Sequence, residues 1–487
     1  MNRLLIPTKH GEVFVTYDGA ETDLDLGHYE RVINESLNKH SSVTTGKIYQ
    51  SVIKKERRGD YLGKTVQVIP HVTNQIKKKL FDVAKHTNPD VVITEIGGTV
   101  GDIESLPFIE AIRQMRQDIG FNNTLYIHST LVPYLKSSNE IKTKPTQHSV
   151  KELMSLGVKP DAIVLRSEIK VEEQAKEKIA LFCDIHKDGI FEVIDVDIIY
   201  KVIENLKYQG IDDYICKHFD FKLPKANIDN WLDLISRISK SKEVVPITIV
   251  GKYISYQDSY LSVVESLKHA CYFLNKKPLI KWIDSHKLTE KNVSLLLSNS
   301  KRIIIPGGFG QEGTNGIILA IKFARENKIP LLGICFGMQL CAIEYAKNVL
   351  GLKHATSKEF NPDTKEAVVT LVIEHDQLVK EEKKLRLGLQ PVRILENTLA
   401  SKIYGTNLIC ERHRNAYEIN PLYVQKLIDG GLTFSGFHQI FQTPQICELV
   451  NHPFFICVQY HPEYLSRPLK PHPLFVGFVK AEGEANG

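Results

Sequence analysis

A cysteine between two glycines is the residue of this chain best suited to covalent chemistry. Cys335 lies in the string Gly333-Ile-Cys335-Phe-Gly337, which follows an apolar run and opens a stretch with helical spacing. The spacing G-x-C-x-G is the cysteine form of a nucleophile elbow, because small residues on both sides permit a sharp strand-to-helix turn. The helix N-terminus favours the nucleophilic thiolate. A lone cysteine is usually a structural residue, but the flanking glycines favour catalysis.

A nucleophilic cysteine needs a base, and the string Gln459-Tyr-His461-Pro-Glu463 supplies one. On an extended backbone His461 and Glu463 project to the same side, so the carboxylate can orient the imidazole and stabilise its protonated form. An H-x-E pair by itself is a weak signal, because most histidines are solvated or satisfied in a core. Its value comes from the cysteine elbow elsewhere in the chain.

An acyl-transfer site also needs hydrogen-bond donors for an oxyanion. The string Ile305-Pro-Gly307-Gly308-Phe-Gly310 ends an apolar run, and its glycine turn can expose a backbone N–H beside the nucleophile. The Phe336 N–H is the natural second donor. Residues 308–313 also match G-x-G-x-x-G, but a dinucleotide site is disfavoured because no acidic strand end follows at roughly 20 residues.

Charged groups in the first half of the chain indicate a nucleotide site. Glu95 follows the apolar run Val91 to Thr94, and Asp102 lies in the same glycine-rich loop. A carboxylate at the C-terminal end of a buried strand is a usual Mg²⁺–phosphate ligand. Lys142 and Lys144 precede an apparent helix, and two ammonium groups beside a helix N-terminus suit a polyphosphate. Each group alone could be a solvated loop.

Composition excludes several classes of protein. The 487 residues suggest two or three domains, and a net charge of +5 is too small for a chain whose main task is to coat nucleic acid. A hydrophobic content of 43% with 24% charged residues excludes disordered and fibrous chains. The 8 cysteines form no C-x-x-C pair, which disfavours a zinc or iron–sulfur framework and fits a reducing compartment. No signal peptide or membrane-spanning run is recognisable, so we predict a cytoplasmic protein without a membrane partner.

Alternating strand and helix patterns predict an α/β fold with two doubly wound, mostly parallel-sheet domains. We place the first domain at residues 1–221, a linker at 222–243 and the second domain at 244–487. Asp258 is expected to cap a helix. The predicted elements are the strands Pro89–Thr94, Asp161–Leu165, Ile247–Val250, Lys301–Ile305 and Pro330–Ile334, and the helices Lys176–Phe182, Thr314–Glu326 and Met338–Ala346.

The elbow, the H-x-E pair and the glycine loop together resemble the class I (triad) glutamine amidotransferases. The resemblance implies that Cys335 attacks the side-chain amide of glutamine, that ammonia leaves, and that water hydrolyses the glutamyl thioester. It also implies that the glutamine is held by Gly308, Phe336, Gln339 and Glu359. Glu359 has an alternative interpretation as a solvated loop acid.

Several strings of the chain, taken in order with the glutaminase residues that follow them, resemble the CTP synthase family. These strings are His10 to Arg31, Arg57 to Gly63, Glu95 to Ser105 and Lys142 to Gln147. The resemblance implies a P-loop-NTPase-like amidoligase domain that phosphorylates UTP with ATP and replaces the phosphate with ammonia delivered through an internal passage. It implies Mg²⁺ at Asp25 and Glu95, and ATP contacts at Asp25, Asp195 and Val196. The implied UTP and inhibitory CTP contacts are Asp102, Ile103, Glu104, Lys142, Thr143, Lys144, Pro145, Thr146, Gln147 and Lys178. Homotetramers and activation by GTP are further family features.

Some parts of the family pattern are missing. The family begins with a strand and a glycine-rich loop whose lysine grips ATP phosphates, whereas this chain starts nine residues before His10. If the chain is complete, we expect impaired ATP-dependent amination with glutamine hydrolysis retained; a fragment or a truncated gene model explains the same absence. Glu312 and Ala416 replace arginines that the family links to glutamine and GTP, and the lid segment before Arg386 is short. We therefore expect weak activation by GTP.

Two other functions remain open at this point. The chain could be a free-standing glutaminase that supplies ammonia to another acceptor, or a non-catalytic nucleotide-binding assembly protein. Loss of glutamine hydrolysis on substitution of Cys335 separates the enzymes from the assembly protein, and dependence on UTP separates the two enzymes.

Overall fold

The computed structural model describes residues 11–372 and 385–483, which form two compact units. One unit comprises residues 40–236, and the other joins residues 11–39 to the described residues from 237 onward. The segment 11–39, which the sequence assigned to the amidoligase domain, therefore packs with the second half of the chain. The helix Asp229–Lys240 lies within the predicted linker. The predicted domain limits themselves stay a prediction.

The larger unit is built on a nine-stranded mixed sheet. Its parallel side runs from Phe455–Val458 through Leu331–Ile334, Ile303–Ile305 and Glu243–Gly251 to Lys276–Asp284. From Phe455–Val458 in the other direction the neighbours are antiparallel, in the order Pro444–Glu448, Thr433–His438, Arg386–Ile394 and Leu408–Asn415. The central parallel strands Ile303–Ile305, Leu331–Ile334 and Phe455–Val458 are apolar and buried because helices cover both faces of the sheet, whereas the edge strand Lys276–Asp284 is partly exposed.

Two apolar clusters cover the two faces of this sheet. One packs the helices Thr314–Glu326 and Phe336–Asn348 against it, and the other packs Leu261–Phe273 and Pro473–Lys480. The remaining helices of the unit are Asp25–Ile33, Val293–Leu297, Leu399–Tyr404 and Pro421–Asp429. The remaining strands are Phe14–Val15, Glu21–Thr22, Thr356–Ser357, Ala367–Leu371 and Tyr417–Ile419.

A buried charge network explains why the segment 11–39 belongs to this unit. The fully buried carboxylate of Glu30 forms ion pairs with Arg412 at 2.9 Å and with Arg467 at 2.6 Å. Removal of Glu30 would leave two buried arginine charges without this carboxylate, which is strongly destabilising. The helix Asp25–Ile33 is therefore held to the sheet by specific pairing as well as by apolar packing.

The other unit contains a three-stranded parallel sheet, in the order Ile127–Leu131, Ala162–Ser167 and Ile190–Ile194. A short antiparallel pair joins Tyr134–Leu135 to Glu140–Ile141. Its helices are Thr45–Arg57, Thr73–Thr87, Leu106–Ile119, Lys144–Ser155, Glu173–Cys183, Lys201–Tyr208 and Ile211–His218. The described residues thus confirm the α/β fold with parallel sheets in both units.

Two local predictions were wrong. The run Pro89–Thr94 forms no strand, and Val91, Val92 and Ile93 are 49%, 40% and 88% exposed. An extended run becomes a strand only when a neighbouring strand supplies hydrogen bonds. No strand among the described residues pairs with the run Pro89–Thr94. Asp258 does not cap a helix, because it lies in the 3₁₀ turn Gln257–Tyr260 and the helix begins at Leu261.

The other elements agree with the sequence. The helix Thr314–Glu326 has the predicted limits, and the strand Leu331–Ile334 and the helix Phe336–Asn348 flank Cys335 as expected. Within the described ranges, no helix combines the length and apolar character needed to cross a bilayer.

Candidate active site

Cys335 forms a strained turn between a central strand and a helix. Its backbone has φ 52° and ψ −97°, a conformation that non-glycine residues rarely adopt. Its N–H donates a hydrogen bond to the carbonyl of Val458 at 2.6 Å, which attaches the turn to the neighbouring strand. Strained backbone of this kind persists only where the surroundings over-determine it, and it clusters at functional sites.

The two glycines of the elbow are required by close packing. A Cβ on Gly333 would lie 2.6 Å from the Cys457 sulfur, and one on Gly337 would lie 2.7 Å from the carbonyl oxygen of Ile305. Neither position therefore accepts a larger side chain without displacement of the sheet. This is the structural reason for the G-x-C-x-G spacing.

His461 and Glu463 form a buried pair. The Nδ1 atom of His461 lies 2.7 Å from Oε1 of Glu463, and the Tyr464 ring stacks on the imidazole at 5.1 Å with an interplanar angle of 13°. Burial lowers the pKa of His461, but the charges of Glu463 and Cys335 raise it by more, to about 10. The pair therefore favours an imidazolium in the folded protein. The buried Nε2 of His461 has no hydrogen-bond partner among the described residues.

Cys335, His461 and Glu463 line one small cavity of the larger unit, together with Glu12, Val13, Tyr253, Ser259, Tyr260, Val263, Gly307, Gly308, Phe309, Arg414 and Tyr464. A Cβ on Gly307 would lie 2.9 Å from Cε1 of His461. The glycine loop therefore approaches the imidazole more closely than any side chain would permit.

A lysine that sequence reasoning missed holds this loop. Lys252 follows the strand Glu243–Gly251, and its Nζ donates to the carbonyls of Phe309 and Gly310, each at 2.6 Å. Burial lowers the pKa of Lys252 to about 8, and the charges of Glu359 and Glu312 oppose this shift. Its position at the C-terminal end of a parallel strand is the signal that could have revealed it.

Only one of the four predicted glutamine-binding residues lines the cavity that contains Cys335. Gly308 lines the cavity, whereas Phe336, Gln339 and Glu359 are not among its lining residues. The Gln339 amide donates to the carbonyl of Tyr417 at 2.8 Å. Oε1 of Glu359 accepts the Gly310 N–H at 2.9 Å, so this carboxylate also supports the glycine loop.

The cavity also includes Glu12 and Val13, whose role the sequence did not reveal. Burial raises the pKa of Glu12 to about 7, although hydrogen bonding from Ser262 and the charge of Arg31 lower it. The Tyr464 hydroxyl donates to the Val13 carbonyl at 2.9 Å. The side chain that stacks on the imidazole therefore also anchors the strand Phe14–Val15.

The predicted nucleotide residues lie mainly in the other unit. Asp102, Ile103 and Glu104 precede the helix Leu106–Ile119, and their loop approaches the helix Lys144–Ser155, because a Cβ on Gly101 would lie 3.5 Å from Cγ of Glu152. Lys142 and Thr143 precede that helix, and Lys144, Pro145, Thr146 and Gln147 form its first turn. The loop therefore lies beside the C-terminal half of this helix, whereas the predicted basic contacts are at its start.

The other predicted contacts are more dispersed. Lys178 is exposed on the helix Glu173–Cys183, and Asp195, followed by Val196, is paired with Arg166 at the end of the strand Ile190–Ile194. Asp25 begins a helix of the larger unit, whereas Glu95 belongs to the smaller one. The Mg²⁺ pair of Asp25 and Glu95 stays a prediction.

Comparisons with known proteins decide the family. Residues 2–221 match the model described as CTP synthase N-terminus, and residues 255–481 match glutamine amidotransferase class-I. A CTP synthase of Bacillus subtilis (strain 168) is 52% identical over 98% of this chain and 90% of that protein. The CTP synthase of the Onion yellows phytoplasma (strain OY-M) is 55% identical over 98% of this chain and 88% of that protein.

The chain belongs to the CTP synthase family. It is therefore a glutamine-hydrolysing ligase that makes CTP from UTP. Because both halves of the chain match, CTP synthase is favoured over a free-standing glutaminase or an assembly protein. The short lid predicted before Arg386 falls on residues 373–384 and lies outside the described residues.

The contact between the glycine loop and the imidazole can be tested with Gly307→Ala. The added methyl group would displace His461, and we expect the kcat for glutamine hydrolysis to fall about 100-fold, because ångström-scale misplacement of a catalytic group has that effect. Gly46→Ala is the control, since no atom lies within 4 Å of its added Cβ and the residue has ordinary helical backbone. An unchanged glutaminase kcat in Gly307→Ala would contradict this geometry.

Proposed function

We propose that this CTP synthase hydrolyses glutamine at Cys335, with His461 and Glu463 as its proton-transfer pair, and that the ammonia aminates UTP activated by ATP. The observation that carries the proposal is that an elbow cysteine and a carboxylate-bound histidine line the same cavity. Nucleophile, base and orienting acid are the arrangement that acyl transfer requires.

The proposed first step uses the charge balance of this cavity. The thiol proton rests on the imidazole, because Glu463 stabilises the imidazolium, and the thiolate of Cys335 attacks the side-chain carbonyl carbon of glutamine. The imidazolium then protonates the departing nitrogen, and ammonia leaves from the tetrahedral intermediate. In the second step the imidazole removes a proton from water, which attacks the thioester and releases glutamate.

Two backbone amides are proposed to stabilise the oxyanion. Within the glycine loop, the Phe309 N–H already donates to the Tyr253 hydroxyl and the Gly310 N–H to Glu359. We therefore assign the loop donor to Gly308, which lines the cavity, and the second donor to Phe336 at the start of the elbow helix. Lys252 and Glu359 act indirectly, because they hold the loop from its two sides.

The nucleotide half is proposed to bind UTP at the N-terminus of the helix Lys144–Ser155. Exposed N–H groups and the helix dipole favour phosphate at this position, and Lys142 and Lys144 add positive charge. Asp102, Glu104 and Lys178 are further contacts that the family resemblance implies. We further propose CTP inhibition through the same residues.

ATP is the proposed co-substrate, and Asp195 and Val196 are its proposed contacts in the smaller unit. The Glu95 carboxylate of the same unit is the kind of ligand that Mg²⁺ prefers. The family resemblance also implies Asp25, and that assignment stays a prediction. When bound, Mg²⁺ would neutralise phosphate charge. Cytoplasmic location and a homotetramer are proposed from the family.

Cys335→Ala tests the proposed chemistry. We expect glutamine hydrolysis and glutamine-dependent CTP formation to fall by at least about a thousandfold, since no nucleophile remains. CTP formation from UTP, ATP and added ammonia should equal that of the unsubstituted chain, and an unchanged circular dichroism spectrum is the control for folding. Substantial glutamine hydrolysis by the variant would refute the assignment of Cys335.

Lys144→Met tests the phosphate site. We expect the KM for UTP to rise about tenfold, because one charge-assisted phosphate contact is lost. Lys151→Met is the matched control, since Lys151 is an exposed lysine on the same helix. Equal KM values for the two variants would contradict the proposed placement of UTP.

Weak activation by GTP is also proposed. Ala416 is buried and has no charge to offer an anionic nucleotide, and Glu312 is an exposed acid that would repel one. We expect saturating GTP to change the glutaminase rate less than about twofold, a difference below 1 kcal/mol in activation free energy. Initial rates at fixed glutamine with increasing GTP provide the measurement, and strong stimulation would disprove it.

A further inference from the structure

Three cysteine thiols that the proposed mechanism does not use meet in the core of the larger unit. The sulfur atoms of Cys341, Cys447 and Cys457 all lie within 4.8 Å of one another. All three side chains are 0% exposed. Among the described residues, this is the one group of three or more histidine, cysteine or acidic side chains with the proximity needed to hold a metal ion.

The fold, not the spacing in the sequence, assembles this cluster. Cys447 and Cys457 are directly opposite each other on the antiparallel strands Pro444–Glu448 and Phe455–Val458. Cys341 comes from the helix Phe336–Asn348, which packs on the same face. Two strands and one helix thus contribute one sulfur each from elements that are rigid and buried.

We propose that Cys341, Cys447 and Cys457 form a binding site for one soft, thiophilic metal ion of the Cu(I) class. Soft thiolate ligands select Cu(I) and related ions, whereas hard cations prefer oxygen. Structural Zn²⁺ almost always takes four ligands, and the cluster offers three. No further histidine, cysteine or acidic side chain of the described residues joins it.

The charge balance of the cluster supports a monovalent ion. Binding of Cu(I) with release of one thiol proton leaves the net charge of the cluster unchanged. The buried core therefore has no new charge to accommodate, and new charge is what makes most ions costly to bury.

The three-thiol cluster does not include Cys335, but it lies close to the strand and helix that flank Cys335. The Cys457 sulfur packs against Gly333 of the elbow, where an added Cβ would lie 2.6 Å from it. Cys341 belongs to the helix that Cys335 opens. A bound ion would link the elbow helix to two strands of the sheet. Because it would bind the folded state preferentially, we expect it to raise the midpoint temperature of thermal unfolding.

Anaerobic loading of the reduced full-length chain with Cu(I) tests the proposal. After competition with a Cu(I) chelator, we expect about one copper ion per chain. The X-ray absorption spectrum should show a first shell of sulfur alone. Zn²⁺ loaded in parallel should be retained less well.

Variants assign the ion to the cluster. Cys447→Ala should lower the retained copper about tenfold or more, because a ligand is lost. Cys271→Ala is the matched control, since Cys271 is equally buried in the same unit but outside the cluster. Cys335→Ala should also retain the ion. The proposal is overturned if copper is not retained, if its retention is the same in Cys447→Ala, or if it is lost with Cys335. Should Cys447→Ala fail to fold, a first shell containing nitrogen or oxygen in the unsubstituted protein would overturn it equally.

Discussion

The left-handed backbone of Cys335 is the constraint on which the glutaminase half depends. A non-glycine residue holds this conformation only when its neighbours exclude the alternatives. Here the neighbours are a central strand, a helix and the Val458 carbonyl, and the close packing of Gly333 and Gly337 leaves the chain no other path. The strain places the thiol at the end of the sheet, where the histidine and the glycine loop can reach the same cavity.

Burial determines the chemistry of that cavity. In a low dielectric the attraction between Glu463 and the imidazolium outweighs the cost of desolvation, and the pKa of His461 rises to about 10. The same burial raises the pKa of Glu12, which lacks an equally strong partner.

The segment 11–39 gives the glutaminase unit part of its active cavity. Glu30 pairs with two arginines of the sheet, and Tyr464 joins the imidazole to the carbonyl of Val13. Residues that belong to the CTP synthase N-terminal match therefore contact Tyr464, the ring that stacks on His461.

The α/β class, the elbow and the glycine loop could be predicted from local spacing, because alternating patterns indicate the fold and a sharp turn needs small residues. The pairing of His461 with Glu463 was predicted from an extended backbone. The structure instead places Glu463 in the 3₁₀ turn Pro462–Tyr464 and still brings the two side chains within 2.7 Å. Only the tertiary structure revealed Lys252, Glu12 and the three-thiol cluster, since each depends on which strands and helices become neighbours. It also showed that the run Pro89–Thr94 is not a strand, because local apolar character cannot supply the hydrogen-bonding partner that a strand requires.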